Sequence, residues 1–179
     1  ALTRLGQVCL PRETLQELAL QLGADVPVFV FGQSAFAEGV GEILHPVCVP
    51  PAWYVVLMPP VQVPTAAIFA APELTRNTPP LKIAPFSAGA GRPALHGFQP
   101  VDSRGPLVGH NDLQPVVVGR YPEVARHLEW LAQFGEARMT GSGACVFAAF
   151  GTQEAAHEVL RQLPDTMQGF VAQGLDKHP

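Results

Sequence analysis

Asp25 stands in Leu22-Gly23-Ala24-Asp25-Val26-Pro27, where a carboxylate lies between a glycine and a Val-Pro pair, behind a helical pattern and ahead of an apolar run. A carboxylate held there could act as a general base. Its neighbours restrict the backbone: Gly23 can leave a helix at positive φ, and Pro27 biases Val26 toward an extended conformation. The same residue types also make ordinary turns and helix caps, because an Asp side chain bonds nearby backbone N–H groups. The hexapeptide alone leaves both readings open.

A second chemical stretch is Thr140-Gly141-Ser142-Gly143-Ala144-Cys145. Two glycines around a serine let successive N–H groups converge on a phosphate or another anion. The stretch runs into a strand pattern, with no Lys-Ser/Thr and no following helix, so it is neither a Walker loop nor a dinucleotide fingerprint. Read by itself, it is first of all a hairpin turn. In Pro64-Thr65-Ala66-Ala67-Ile68-Phe69, residues Thr65 and Phe69 share one face of a short helix. From spacing alone, Phe69 there reads as a core residue.

Other chemistry lacks a nucleus. There is no GxSxG elbow and no HExxH pair, and Cys9, Cys48 and Cys145 form no CxxC, so no metal ligands are assigned. Cys145, inside an apolar strand pattern, reads as a small buried hydrophobe. Glu38 and Glu42 read as solvated charges, Arg76 and Asn77 as solvent-facing, and His110 as a surface or capping histidine.

The elements that must position these residues follow from periodicity. Pro11 to Leu22 is a helix whose Leu15, Leu18, Ala19 and Leu22 form a stripe. Ala35 to Ile43 is extended, with a bend at Gly39 and Gly41. Trp53 to Met58 is a buried central strand, and a short helix starts near Pro64-Thr65. Pro72 to Gly105, rich in Pro, Gly and Ala, is a long loop. Val108 to Val118 is a helix capped by Asn111 or bent at Pro115, and Pro122 to Phe134 is a helix with Val124, Leu128 and Leu131 inward. Two extended runs flank Gly141-Ser142-Gly143, a helix capped by Thr152 runs to Leu163, and Gly169 to Ala172 is the last strand. The class is α+β, with helices on one side of a mainly antiparallel sheet. The prolines between His45 and Pro51 mark a boundary between residues 1–48 and 49–179.

The chain has 179 residues, 47% of them hydrophobic, and a formal net charge of −4. That suits one large or two small globular domains and provides no general basic field for nucleic acid or an anionic membrane. No apolar run reaches the ~20 residues of a membrane span. Cysteine usage fits a reduced, cytoplasmic protein.

Taken in order, Leu22 to Pro27, Ala37-Glu38-Gly39-Val40-Gly41-Glu42, Pro64 to Phe69, Asn111-Asp112-Leu113 and Thr140 to Cys145 resemble the 4-diphosphocytidyl-2-C-methyl-D-erythritol kinase family, within the superfamily of galactokinase, homoserine kinase and mevalonate kinase. The resemblance implies a two-domain small-molecule kinase fold. It implies transfer of the γ-phosphoryl group of ATP, with Mg2+, to a hydroxyl of a cytidine-diphosphate substrate in the non-mevalonate route to isoprenoid precursors. Asp25 then matches the family's catalytic aspartate. Thr65 and Phe69 match positions around the cytidine, and Gly141, Ser142 and Gly143 match the glycine-rich motif that lines the cleft. The family's first phosphate-cradling loop and its amino-terminal lysine have no counterpart here, which implies a carboxy-terminal portion, inactive alone. Residues 1–48 would be the remnant of the first, ATP-binding domain and 49–179 the second domain. Two competing expectations are a non-catalytic α+β binding or regulatory module, and the same fold acting on another small alcohol.

Overall fold

In a computed structural model, residues 10–47, 49, 51–79 and 110–177 are described. They sort into two units, one of residues up to Val49 together with 175–177, the other of residues 51–79 and 110–174. Residues 175–177 pair with residues of the first unit. Ser34 N–H donates to Asp176 O at 2.9 Å, and Gln33 bridges Lys177. The expected loop falls largely on residues outside those described.

The first unit opens with α1 (Arg12–Leu22) and α2 (Val26–Phe31), which pack on each other, followed by a hairpin of β1 (Ala35–Glu38) and β2 (Ile43–Pro46). Of the predicted stripe on α1, Ala19 is buried and Leu15 half-buried, whereas Leu18 and Leu22 are 46% and 80% exposed. Periodicity identifies which residues share a face, and burial depends on what that face meets. Two local expectations also change. Gly23 leaves α1 in an extended conformation (φ 159°, ψ 157°), not a left-handed one, and its N–H donates to Ala19 O. Val26 is not extended but begins α2, with its N–H on Gly23 O at 3.1 Å. Pro27 sits in the first turn, where an amide has no intrahelical partner and its loss costs little.

The second unit has the order β3 (Trp53–Leu57), α3 (Thr65–Phe69), α4 (Leu113–Arg120), α5 (Pro122–Leu131), β4 (Ala137–Met139), β5 (Val146–Phe150), α6 (Gln153–Arg161), β6 (Gly169–Gln173). The strands form one antiparallel sheet in the order β4-β5-β3-β6, a split βαβ arrangement. β3 is central, paired from Trp53↔Phe150 to Leu57↔Val146 on one side and from Trp53↔Gln173 to Leu57↔Gly169 on the other. A strand paired on both edges with one face covered must bury alternate residues, and Val55 and Leu57 have no exposure. Ile68, Val117, Val124 and Leu131 bring α3, α4 and α5 onto the same core. Fully burying side chains of this size contributes ~1.5–3 kcal/mol each. α6 is capped as expected, Thr152 Oγ1 accepting from Ala155 N–H at 3.2 Å. The expected α+β class, with helices on one side of an antiparallel sheet, is the observed one.

Candidate functional site

Thr65 is the first residue of α3, behind Pro64, and its hydroxyl meets Ser142 in the glycine turn between β4 and β5: Thr65 Oγ1 and Ser142 Oγ are 2.7 Å apart. Two predicted site residues 77 positions apart in the chain are thus in direct contact. One turn further along α3, the side chains divide. Ile68 is fully buried and anchors the helix, while Phe69 is 54% exposed, so the core reading of Phe69 does not hold. Arg76, expected to face solvent, closes the end of α3: its Nη2 donates to Phe69 O at 2.7 Å and Ala71 O at 3.2 Å. Glu73, just beyond, pairs with Arg120 at the end of α4. Its own backbone N–H, and then that guanidinium, hold the Glu73 carboxyl below the usual range.

The glycine turn has a defined shape. Thr140 N–H donates to Cys145 O and Gly143 N–H to Thr140 O, both at 3.0 Å. Gly141 and Gly143 have φ of 56° and 90°, which side chains disfavour. The amides of Gly141 and Ser142 have no protein acceptor among the described residues. Cys145 is half-buried.

Sequence reasoning placed Asn111 only as a cap. Its Oδ1 does accept from Leu113 N–H at 3.0 Å, but its Nδ2 also donates to Met139 O at 3.1 Å and Gly141 O at 2.8 Å. Gln114 Oε1 accepts Met139 N–H at 2.8 Å and was missed altogether. The available signal was the Asn-x-x-Gln spacing of a capping box, whose Gln here turns to another strand. His110 is exposed and pairs with Asp112, which also accepts from Thr78.

Asp25, in the first unit, is exposed, lies in the helical region (φ −86°, ψ −8°) and makes no capping bond to α2. The turn before β2 backs its neighbour. A Cβ on Gly41 (φ 116°) would stand 2.3 Å from Ala24 O. Glu42 Oε2 accepts Val40 N–H at 2.7 Å, which shapes that turn, and Glu38 pairs with His45 at 2.9 Å. Both glutamates, read as solvated, are exposed but bonded. Among the described residues, no three His, Cys, Asp or Glu side chains converge to hold a metal ion, and no helix is long and apolar enough to cross a membrane.

Residues 99–169, which include α4, α5, the glycine turn and α6, match the family described as GHMP kinases C terminal. The whole chain is similar to proteins named as kinases. It is 72% identical over 179 residues to the 4-diphosphocytidyl-2-C-methyl-D-erythritol kinase of Thiobacillus denitrificans, covering all of this chain and 58% of that protein. To the enzyme of that name from Nitrosospira multiformis it is 55% identical over 182 residues, with 100% and 56% covered. A crystal structure of 4-(cytidine 5'-diphospho)-2C-methyl-D-erythritol kinase superposes with a TM-score of 0.70 at 25% identity, covering 96% of this chain and 60% of that one. The chain therefore spans somewhat more than half the length of these relatives.

Proposed function

We propose that the chain serves a kinase that transfers the γ-phosphoryl group of ATP to a hydroxyl of 4-diphosphocytidyl-2-C-methyl-D-erythritol, a cytoplasmic step toward isoprenoid precursors. The observation that carries this reading is the contact between Thr65 and Ser142, with Phe69 exposed on the same short helix. It joins a platform suited to a nucleobase to a turn whose amides suit a phosphate. Phosphoryl transfer asks a protein mainly for positioning and charge stabilisation, so a few such groups are enough.

In this reading the exposed ring of Phe69 stacks on the cytosine, and Thr65 sits beside the cytidine. Gly141 and Ser142 direct their backbone N–H groups, and Ser142 its hydroxyl, at the phosphates of the nucleotide, while Gly143, its own N–H on Thr140 O, closes the turn. Asp25 orients the acceptor hydroxyl and takes its proton as the oxygen attacks phosphorus and ADP leaves. Magnesium bound to the triphosphate would neutralise part of its charge. Residues 1–48 would belong to the ATP-binding domain and 49–179 to the second kinase domain.

The test is a steady-state assay in a protein of the relatives' full length that carries this chain, comparing the cytidine-diphosphate alcohol with galactose, homoserine and mevalonate. Phosphorylation of the cytidine compound alone is expected. Equal turnover of a simple alcohol would overturn the substrate assignment.

A further inference from the structure

We propose that Asn111 is a positioning residue for the glycine turn, setting the backbone of Gly141 to Gly143 through its side-chain amide; this rests on the reading of that turn as a phosphate site. β4 is an edge strand, and Met139 is its last residue. In an antiparallel pair the N–H and C=O of alternate residues point away from the partner strand. Thr140 bonds inward to Cys145, and Met139 turns its N–H and C=O outward. Gln114 takes that N–H and Asn111 that carbonyl, so two side chains from the start of α4 stand where a further strand would pair. Asn111 then reaches one step beyond the strand, to Gly141 O.

The chemistry requires an amide at position 111. Both Nδ2 hydrogens go to carbonyls and Oδ1 receives the Leu113 N–H, so only one orientation of the group satisfies all three bonds. An aspartate of nearly the same shape keeps the bond to Leu113 but sets a carboxylate oxygen against the carbonyls of Met139 and Gly141. Gln114 differs: it acts only through an accepting oxygen, so Gln114→Glu preserves its bond to Met139. With its carbonyl held, Gly141 is fixed in the plane of the peptide that carries the Ser142 N–H, one of the two amides left for a ligand.

The experiment uses amide resonances of the full 179-residue chain with ATP and Mg2+ as the probe. In the unsubstituted chain, ATP is expected to move the Gly141, Ser142 and Gly143 signals. N111D should displace those signals before any nucleotide is added and weaken the ATP response about 5- to 30-fold, the scale of one or two lost hydrogen bonds. Gln114→Glu should leave both unchanged, and core signals such as Val55 and Val117 should not move in any variant. N111A removes the donors without adding a charge and should give the same pattern if N111D does not fold. Turn signals and ATP response indifferent to N111D and N111A overturn the proposal. Turn signals that move in N111D but ignore ATP in the unsubstituted chain leave the clamp standing and sink the phosphate reading instead.

Discussion

Thr65 Oγ1 and Ser142 Oγ lie 2.7 Å apart, and this bond fastens the first residue of α3 to the glycine turn. The turn is held from its other side by Asn111, so its position is determined from two elements. Residues in one hydrogen-bond network couple, and a double-mutant cycle measures the coupling. Thr65→Ala, Ser142→Ala and the double variant should show an interaction of ~0.5–1.5 kcal/mol in unfolding free energy, the usual net worth of one hydrogen bond. Thr65→Ser retains the hydroxyl and should behave as the parent. Strictly additive losses in denaturant titrations would mean that the contact carries no coupling.

Phe69 is expected to separate binding from stability. Its ring is 54% exposed while its neighbour Ile68 is fully buried, so Phe69→Ala should change unfolding little. Loss of a stacked base should weaken cytidine diphosphate by ~1–3 kcal/mol, and Phe69→Trp should keep most of the affinity. Ile68→Ala should do the opposite, costing ~2–5 kcal/mol of stability through the cavity it leaves. Calorimetric titration beside thermal unfolding checks both, and unchanged cytidine affinity in Phe69→Ala would remove the ring from the site.

Asp25 bears on the chemical step. It is exposed and makes no capping bond, so Asp25→Asn should fold like the parent. In the relatives' full-length context, the loss of a positioned base should lower kcat about 10²- to 10⁴-fold with a smaller change in KM. Single-turnover rates are the clean measurement, and an unaltered rate would return Asp25 to the role of a turn residue.

How much of this was legible in the residues themselves depends on the range of the interactions. The four-stranded sheet unit could be read because Trp53 to Leu57, Ala137 to Met139 and Val146 to Phe150 alternate or run apolar between strong turn signals, and Thr152 caps its helix as its position suggests. What could not be read was decided by tertiary partners. Leu18 and Leu22 share a helical face with Ala19 and remain exposed, because periodicity carries no information about what a face meets. Val26 and Pro27 begin a helix, because first-turn tolerance of proline outweighed the pre-proline preference for extended backbone. Phe69 reads as core from spacing alone for the same reason, whereas it is Ile68 beside it that is buried. Asn111 reads only as a local cap and Gln114 carries no reading, because their bonds to Met139 and Gly141 reach across 25 to 30 residues.

Gly41 links the Asp25 stretch to the hairpin that follows it. At φ 116° a side chain is strained, and a Cβ there would stand 2.3 Å from Ala24 O, in the peptide that carries the Asp25 amide. Backbone yields less readily than a side chain, so in Gly41→Ala either the turn or the Ala24-Asp25 peptide must move. Strain of this kind costs ~1–3 kcal/mol, and the displacement should reach Asp25, lowering kcat in the relatives' full-length context beyond what the loss of stability explains. Gly119 in α4 provides the control. A Cβ there meets nothing within 4 Å, and its φ lies outside the left-handed range. Gly119→Ala should therefore stabilise by ~0.4–1 kcal/mol through the restricted unfolded chain and the better helix former. Thermal unfolding and kcat measured on both variants check the pair. If Gly41→Ala melts and turns over like the parent, the close approach to Ala24 is relieved without disturbing Asp25, and the hairpin has no part in placing the carboxylate.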